Sequence, residues 1–151
     1  MLFRKQISVL SYLVFISITS ASCQNHEKDR LPDPIGFVND FESIFSRAEK
    51  RYLDSIISKF EKITTIQIAV ITVDTSMTDK KEFDNYILRI ANKWGVGQKE
   101  KNNGIAVGFS KAYRVIRIQN GYGIERILSD AETKEIIDNA FIPDFKQGKI
   151  F

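Results

Sequence analysis

The chain has 151 residues, of which 43% are hydrophobic and 27% charged, and its formal net charge at pH 7 is +3. This composition is typical of a globular domain and lacks the strong basic excess with which nucleic-acid-binding proteins attract phosphates. The only cysteine, Cys23, cannot form an intrachain disulfide, and the only histidine, His26, lies in a polar segment that we interpret as a solvated linker. Histidine-dependent triads and histidine-ligated zinc sites are therefore excluded.

The amino-terminal residues have the pattern of an export signal. Arg4 and Lys5 form a basic start, residues 7–19 form an apolar stretch that is short for a membrane span, and small residues lead to Cys23. The pattern resembles a bacterial lipoprotein signal, which implies that residues 1–22 are removed and that Cys23 carries acyl chains such as palmitate. The protein would then be lipid-anchored in the bacterial cell envelope, facing the periplasm or the cell surface. Because the residue three places before the cysteine is Ser rather than the usual Leu, an ordinary secretory signal or a signal anchor is the alternative.

The segment after the signal is predicted to be a tether. Loss of the two basic residues of the signal would leave 20 basic and 19 acidic residues, a charge of +1, which argues against polyanion binding. Residues 23–35 are predicted to be the acylated cysteine and a flexible tether, in which Pro32 and Pro34 favour extended backbone. Residues 36–151 are predicted to form one domain, since a little over about 100 residues suffice for a single core.

Hydrophobic periodicity predicts a helix and then a strand at the start of the domain. Ser46 and Glu49 form a capping box, and the apolar residues that follow recur at helical spacing as far as Thr64. Residues 67–73 form a run rich in β-branched residues, which is typical of a strand covered on both faces.

A second helix is predicted to begin at another capping pattern, Asp79 with Glu82, and to end where Gly95 follows Trp94. Trp94 closes the apolar stripe of this helix, so we interpret it as a core anchor rather than as a platform for a ligand.

A β-hairpin and a third helix are predicted in the second half of the domain. Strands at residues 104–109 and 113–118 flank a short turn. Ser129 and Glu132 cap the third helix, which Pro143 is expected to end.

These elements predict the architecture. Two strands with a helix between them form a βαβ unit, whose right-handed crossover places that helix on one face of the sheet. The first helix must then cover the other face. The sequence therefore predicts an α/β fold, a three-layer α/β/α sandwich around a small mixed sheet.

Four short segments occur in a characteristic order. They are Phe37-Val38-Asn39-Asp40, Trp94-Gly95-Val96-Gly97, Asn102-Asn103-Gly104-Ile105 and Gly121-Tyr122-Gly123-Ile124-Glu125. In this order they resemble the TPM domain, a family of membrane-tethered α/β modules. The resemblance covers residues 36–148 and implies a Rossmann-like three-layer sandwich. Since TPM domains usually continue into a further helix, we also expect the chain to be truncated at its carboxyl terminus.

The resemblance further implies an acidic site for a divalent cation, Ca²⁺ or Mg²⁺. Carboxylate and amide oxygens are ligands that such cations prefer. In this sequence the implied ligands are Asp40, Asn102, Glu125 and Asp130. The loop expected to contact a ligand or partner, with two nearby arginines, comprises Gly121, Tyr122, Gly123, Arg117 and Arg126.

Each acid also has an ordinary structural interpretation. Asn102 stands where the family commonly has Asp, and a lower charge weakens cation binding. The helix dipole favours Asp130 without any metal, and Asp40 is suited to a turn in which it accepts bonds from nearby backbone. Because the hairpin strand runs antiparallel, Asp74 and the Tyr122 loop are expected at opposite ends of the sheet.

These features favour a non-catalytic, membrane-tethered TPM module for assembly or maintenance of membrane complexes. It is expected to bind a divalent cation and an unidentified envelope protein, and no nucleic acid. The alternative, implied by some TPM relatives, is a metal-dependent acid phosphatase acting on phosphomonoesters. That chemistry needs a metal-activated water and cationic groups at the phosphate. The residues that would supply them are Asp40, Asp130, Arg117 and Arg126.

Overall fold

The structure is a computed structural model, and it describes residues 30–146. The expected signal segment, Cys23 and the last residues of the chain lie outside this range. Residues 31–146 belong to one compact unit, which holds all of the described helices, strands and core residues, as expected of a domain that folds on its own. Within residues 30–146, no helix is both long and apolar enough to cross a bilayer.

Four strands form one mixed sheet in the order β1-β2-β3-β4. Strands β1 (Val38–Asp40), β2 (Gln67–Thr72) and β3 (Gly104–Ser110) are parallel, and β4 (Val115–Asn120) is antiparallel to β3. The three predicted strands are confirmed. β4 begins later than predicted because the hairpin turn extends to Arg114, whose φ is 53°. β1 has no predicted counterpart, since three residues are too few to show a period.

Helix α1 (Arg47–Thr64) covers one face of the sheet, beside β1 and β2. Its predicted capping box is confirmed, since Glu49 N donates to Ser46 Oγ at 3.2 Å and Ser46 N donates to Glu49 Oε2 at 2.7 Å. Just before the helix, the ring of Phe45 meets the ring of Phe109 edge to face, with 5.9 Å between centroids. This contact fixes the start of α1 against β3.

Helix α2 (Phe83–Trp94) packs against β3 and β4. The predicted side-chain cap by Asp79 is wrong, because the helix is preceded by a 3₁₀ turn, Lys80–Glu82, at which Asp79 makes no side-chain capping bond. The backbone N–H of Glu82 donates to the Asp79 carbonyl at 3.0 Å instead. Gly95, with φ at 63°, ends the helix as predicted.

The main core cluster lies between α2 and the sheet. Gly108 of β3 lets α2 approach closely, because a Cβ at this position would lie only 2.2 Å from Ile87 Cδ1. Each large apolar side chain that is fully buried here contributes about 1.5–3 kcal/mol before entropy is counted. The buried members are Ile71, Val73, Phe83, Tyr86, Ile87, Ile90 and Ala106.

The predicted three-layer α/β/α sandwich is confirmed. Side chains alternate between the two faces of a strand. Gly108 thus faces α2, whereas its neighbour Phe109 faces Phe45 at the start of α1. The two long helices therefore lie on opposite faces of the sheet.

Helix α3 (Asp130–Ile136) begins at its predicted cap, Ser129. The prediction that Pro143 ends this helix is wrong, since helical backbone continues through a π segment, Ile137–Phe141, into α4 (Ile142–Lys146). Proline lacks an N–H and its ring clashes with the carbonyl four residues back, and a wider π turn just before it relieves both problems.

Candidate functional sites at the two ends of the sheet

Topology divides the polar loops between two ends of the sheet. The carboxyl end is where β1, β2 and β3 finish and β4 begins; the amino end is where β1, β2 and β3 begin and β4 finishes. Asp40 and Asp74 therefore lie at the carboxyl end. The Tyr122 loop lies at the amino end, as expected from the antiparallel hairpin, and so does Asn102, which shortly precedes β3.

At the carboxyl end, Asp40 is occupied by donors of the protein itself. Its carboxylate accepts from the backbone N–H of Ile44 at 3.1 Å and of Phe45 at 2.9 Å, and from Thr72 Oγ1 at 2.8 Å. Asp40 thus fixes the loop between β1 and α1 onto β2. Its bonds to nearby backbone match the turn role that the sequence also suggested.

Glu42 ties the same loop to the hairpin. One of its carboxylate oxygens accepts from Ser110 Oγ at 2.9 Å, and the other accepts from Lys111 N at 2.9 Å. In return, Glu42 N donates to Thr72 Oγ1 at 2.9 Å. Neither the composition nor the periodicity of the sequence indicated this role, because the partners are 68 or more residues away in the chain.

Asp74, the remaining acid at this end that the sequence singled out, bonds locally. The backbone N–H of Ser76 donates to its carboxylate at 2.9 Å. Hydrogen bonds from the Ser76 side chain and then from its backbone lower the pKa of Asp74 below the usual value. These three acids therefore support loops, so the end at which α/β sheets usually bind ligands is largely occupied by the protein's own contacts.

At the amino end, glycines from three motifs lock the loops together. A Cβ on Gly104 would lie 1.9 Å from the carbonyl oxygen of Val96, and one on Gly123 would lie 2.0 Å from that of Lys101. Gly97 also has a φ of 110°, a backbone conformation that side chains rarely allow. These motifs therefore encode close backbone contacts.

Asn103 is the buried link between these loops. Its side-chain Nδ2 donates to the carbonyl of Thr65 at 2.6 Å, and its Oδ1 accepts from Gln98 N at 2.8 Å. No role was predicted for Asn103 from the sequence. Its position directly before Gly104, in the same motif as Asn102, is the signal that could have identified it.

Asn102 is held against the Tyr122 loop through its backbone. It has a left-handed φ of 47°, and its carbonyl accepts from Gly123 N at 3.0 Å. Its side chain is exposed. The structure therefore brings Asn102 and the loop that carries Glu125 to the same end of the sheet.

The outer surface of this loop is exposed. Tyr122 is 80% exposed and Ile127 is 70% exposed, whereas Ile124 between them is buried and anchors the loop. Glu125 and Arg126 are also exposed. Such a surface is rigid at its base and accessible at its tip.

Helix α3 starts beside this loop. Asn120 at the end of β4 donates through Nδ2 to Thr133 Oγ1 at 2.7 Å and to the Leu128 carbonyl at 3.4 Å. Asp130, in the first turn of α3, is exposed. Asn120 Oδ1 is buried and has no hydrogen-bond partner within the described part of the chain. The amino end therefore keeps at least one acceptor unused.

The structure does not bring Asp40 together with Asn102, since they lie at opposite ends of the sheet. Within residues 30–146, His, Cys, Asp and Glu side chains form no group of three or more that could hold a metal. Arg117 lies on the α2 face, where its guanidinium is 3.8 Å from Asp84.

A shallow pocket of about 260 Å³ lies beside the beginning of β2, lined mainly by Pro34, Phe37, Ile68, Ala69, Trp94 and Val96. Its polar member, Gln67, is already bonded, since its Oε1 accepts from Gly97 N at 2.8 Å and its Nε2 donates to Glu61 at 2.9 Å. The pocket is therefore an apolar recess with few groups to select a ligand.

The end of α2 holds the residues that precede the sheet. Trp94 Nε1 donates to the carbonyl of Pro32 at 2.8 Å, while Lys93 Nζ donates to the carbonyl of Leu31 at 2.9 Å and pairs with Asp33 at 2.9 Å. We call these contacts the clasp. Trp94 also packs against the core cluster, so it combines a core role with the clasp.

The fold and the amino-end loops define a small α/β/α domain with a glycine-locked loop site. Residues 38–151 match the TPM domain family, so the chain belongs to that family. The solution NMR structure of the N-terminal domain of a protein from P. gingivalis is similar, with a TM-score of 0.68 and 25% sequence identity over 84% of this chain and 76% of that one. No curated protein matches significantly.

Proposed function

We propose that this TPM domain is a lipid-anchored module of the bacterial cell envelope that binds a divalent cation and a protein partner through its amino end. Asn102, Glu125 and Asp130 would hold the cation, and the loop around Tyr122 would contact the partner. The observation that carries the proposal is the contrast between exposed acids on a glycine-locked loop and the occupied acids of the carboxyl end.

The ligand set predicts a weak site. Two carboxylates and one amide provide hard oxygen ligands for Ca²⁺ or Mg²⁺, with backbone carbonyls and water completing the shell. Low ligand charge and exposure place the expected affinity on the order of 10⁻⁴ to 10⁻³ M, the range of extracellular calcium modules. Asp40 is not part of this proposed set, because it lies at the other end of the sheet.

The exposed loop tip suits a protein partner. Aromatic side chains are enriched at the centres of interfaces, and Tyr122 with Ile127 supplies an apolar contact beside charged Glu125 and Arg126. A bound cation at Glu125 would also allow a partner's carboxylate to complete its coordination. Assembly or maintenance of membrane complexes is the role that such a module would serve.

Cation binding is tested by calorimetry and thermal unfolding of the chain from Gln24 onward. Millimolar Ca²⁺ should raise the melting temperature by a few degrees through mass action. Asp130→Asn should reduce this gain, whereas Glu135→Gln, which removes an exposed acid farther along the helical segment, should not. Absence of both heat and a melting shift at millimolar Ca²⁺ and Mg²⁺ would overturn the cation site.

The anchor is tested by Cys23→Ser. This change should leave an unprocessed precursor without acyl chains, because Cys23 is the only cysteine. Metabolic labelling with palmitate and detergent partitioning measure the result. If the variant is cleaved at the same place and still partitions into detergent as the wild type does, the lipid anchor is not at Cys23.

A further inference from the structure

The outer edge of β4 presents unpaired backbone groups. Gly121 N donates to the Gly104 carbonyl at 2.8 Å, which fixes the phase of the antiparallel ladder. In this phase the backbone N–H and C=O groups of Arg117 and Gln119 bond to β3. Those of Ile116 and Ile118 point away from the sheet. No hydrogen bond from any residue between 30 and 146 reaches these outward groups.

The opposite edge of the sheet is protected. Strand β1 has three residues, and the N–H of Val38, on the side away from β2, donates to Asp54 Oδ1 at 3.0 Å. Lys50 Nζ holds the same carboxylate at 2.9 Å. Natural sheets usually shorten or cover their edges in this way, because an open edge pairs with other chains. The six-residue β4 edge lacks such a cover in the described part of the chain.

The side chains on the two faces of β4 determine which partner strand is complementary to this edge. Residues 110–120 contain three basic residues and no acidic residue. Arg117 faces the α2 side, and its side chain is 45% exposed although Asp84 lies nearby. Ile116 and Ile118 lie on the other face. Two copies of β4 would bring arginines together, whereas a strand with acidic residues on the Arg117 side and apolar residues on the isoleucine side is complementary.

We propose that the β4 edge binds an extended segment of a partner protein by strand addition, and that this segment alternates acidic and apolar residues. Backbone hydrogen bonds to Ile116 and Ile118 supply the attachment, and Arg117 selects acidic side chains. The interaction needs no cation and lies along β4, so it is separate from the proposed amino-end site. It goes beyond the proposed function by assigning a second surface and the chemistry of its partner.

The test uses a short synthetic peptide of alternating valine and glutamate and the chain from Gln24 onward, in a buffer containing a metal chelator. Binding is followed by fluorescence anisotropy and by NMR shifts of the Ile116 and Ile118 amides, with Val38 as the internal control. In antiparallel addition the valines carry the N–H groups that bond to β4, and in parallel addition the glutamates do. Two modified peptides are therefore compared, one N-methylated on its valines and the other on its glutamates. One of the two should bind about tenfold or more weakly than the unmodified peptide, and the other should bind as well as the unmodified peptide.

Protein variants test the charge selection. Arg117→Glu should weaken binding of the valine–glutamate peptide and improve binding of a valine–lysine peptide, whereas Lys59→Glu on α1 should change neither. Far-UV circular dichroism and the melting temperature check that each variant is folded. Equal loss with both N-methylated peptides, no loss with either, or shifts confined to Val38 would overturn strand addition at β4. Binding that is insensitive to Arg117→Glu would overturn acidic selection.

Discussion

The two ends of the sheet use their acidic residues in opposite ways. At the carboxyl end, Asp40 and Glu42 each accept three hydrogen bonds from the protein, so their charges hold loops. At the amino end, glycines hold the loops, and Glu125 and Asp130 stay exposed. When backbone packing does the structural work, carboxylates are left available for function. Strand polarity alone points to the carboxyl end, whereas the exposed acids that the sequence singled out lie at the amino end.

The largest effect is expected from Gly104→Ala at the amino end. The new Cβ would meet the backbone carbonyl of Val96 at 1.9 Å, and backbone yields less than a flexible side chain. We expect a loss of about 3 kcal/mol or more in the free energy of unfolding, measured in urea. Gly36→Ala is the control, since its nearest neighbour is Lys50 Nζ at 3.9 Å. Equal stability of the two variants would show that the amino end is not locked by close contact.

A smaller effect is expected from Asp40→Asn. The amide replaces a charged acceptor of two backbone N–H groups and one hydroxyl, so about 1–3 kcal/mol of stability should be lost. Asp130→Asn should cost about 1 kcal/mol or less, because its side chain is exposed. A greater loss for Asp130→Asn than for Asp40→Asn, by chemical unfolding, would reverse the comparison of the two ends.

A third, smaller effect concerns pH and the start of α3. Hydrogen bonds from the Ser129 hydroxyl and then its backbone N–H lower the pKa of Glu132 from its usual 4.5. A lowered pKa in the folded state means that this contribution is present above about pH 4.5 and is lost as the pH falls through the folded pKa. Carboxyl NMR titration should show the lower pKa in the wild type and a return towards the usual value in Ser129→Ala. An unchanged Glu132 titration in that variant would show that Ser129 does not stabilise the carboxylate.

No measurable turnover is the last expectation. The acids assigned to a phosphatase, Asp40 and Asp130, do not converge, since Asp40 is bonded at the carboxyl end and Asp130 opens α3 beside the amino end. Hydrolysis of p-nitrophenyl phosphate with Ca²⁺, Mg²⁺ or Mn²⁺ should therefore stay at background. Metal-dependent activity that copurifies with the protein and falls tenfold or more in both Asp40→Asn and Asp130→Asn would establish the phosphatase instead.

Local signals in the sequence predicted most of the fold. The capping box of α1, the β-branched run of β2 and the glycine that ends α2 act over a few residues, so periodicity and cap chemistry identify them. β1 was missed because its three residues form a strand only by pairing with β2. The helix after Ser129 was predicted too short, because the π segment that accommodates Pro143 has no local signature.

The candidate site was less predictable, because it depends on which loops meet. The family resemblance grouped Asp40 with Asn102, Glu125 and Asp130. Because β1, β2 and β3 are parallel, Asp40 at the end of β1 and Asn102 just before β3 lie at opposite ends of the sheet. The sequence did indicate that Asp74 and the Tyr122 loop lie at opposite ends. The role of Glu42 was invisible, since its hydroxyl partner, Ser110, is 68 residues away.

The clasp formed by Lys93 and Trp94 limits the distance between Cys23 and the folded domain. It holds Leu31 and Pro32 against the end of α2, so these two residues are part of the folded domain. If Cys23 carries the lipid anchor, the residues between it and the clasp span at most about 27 Å when fully extended. The domain would then be confined to a shallow layer next to the membrane. Only partners with exposed segments that reach into this layer would be able to bind it.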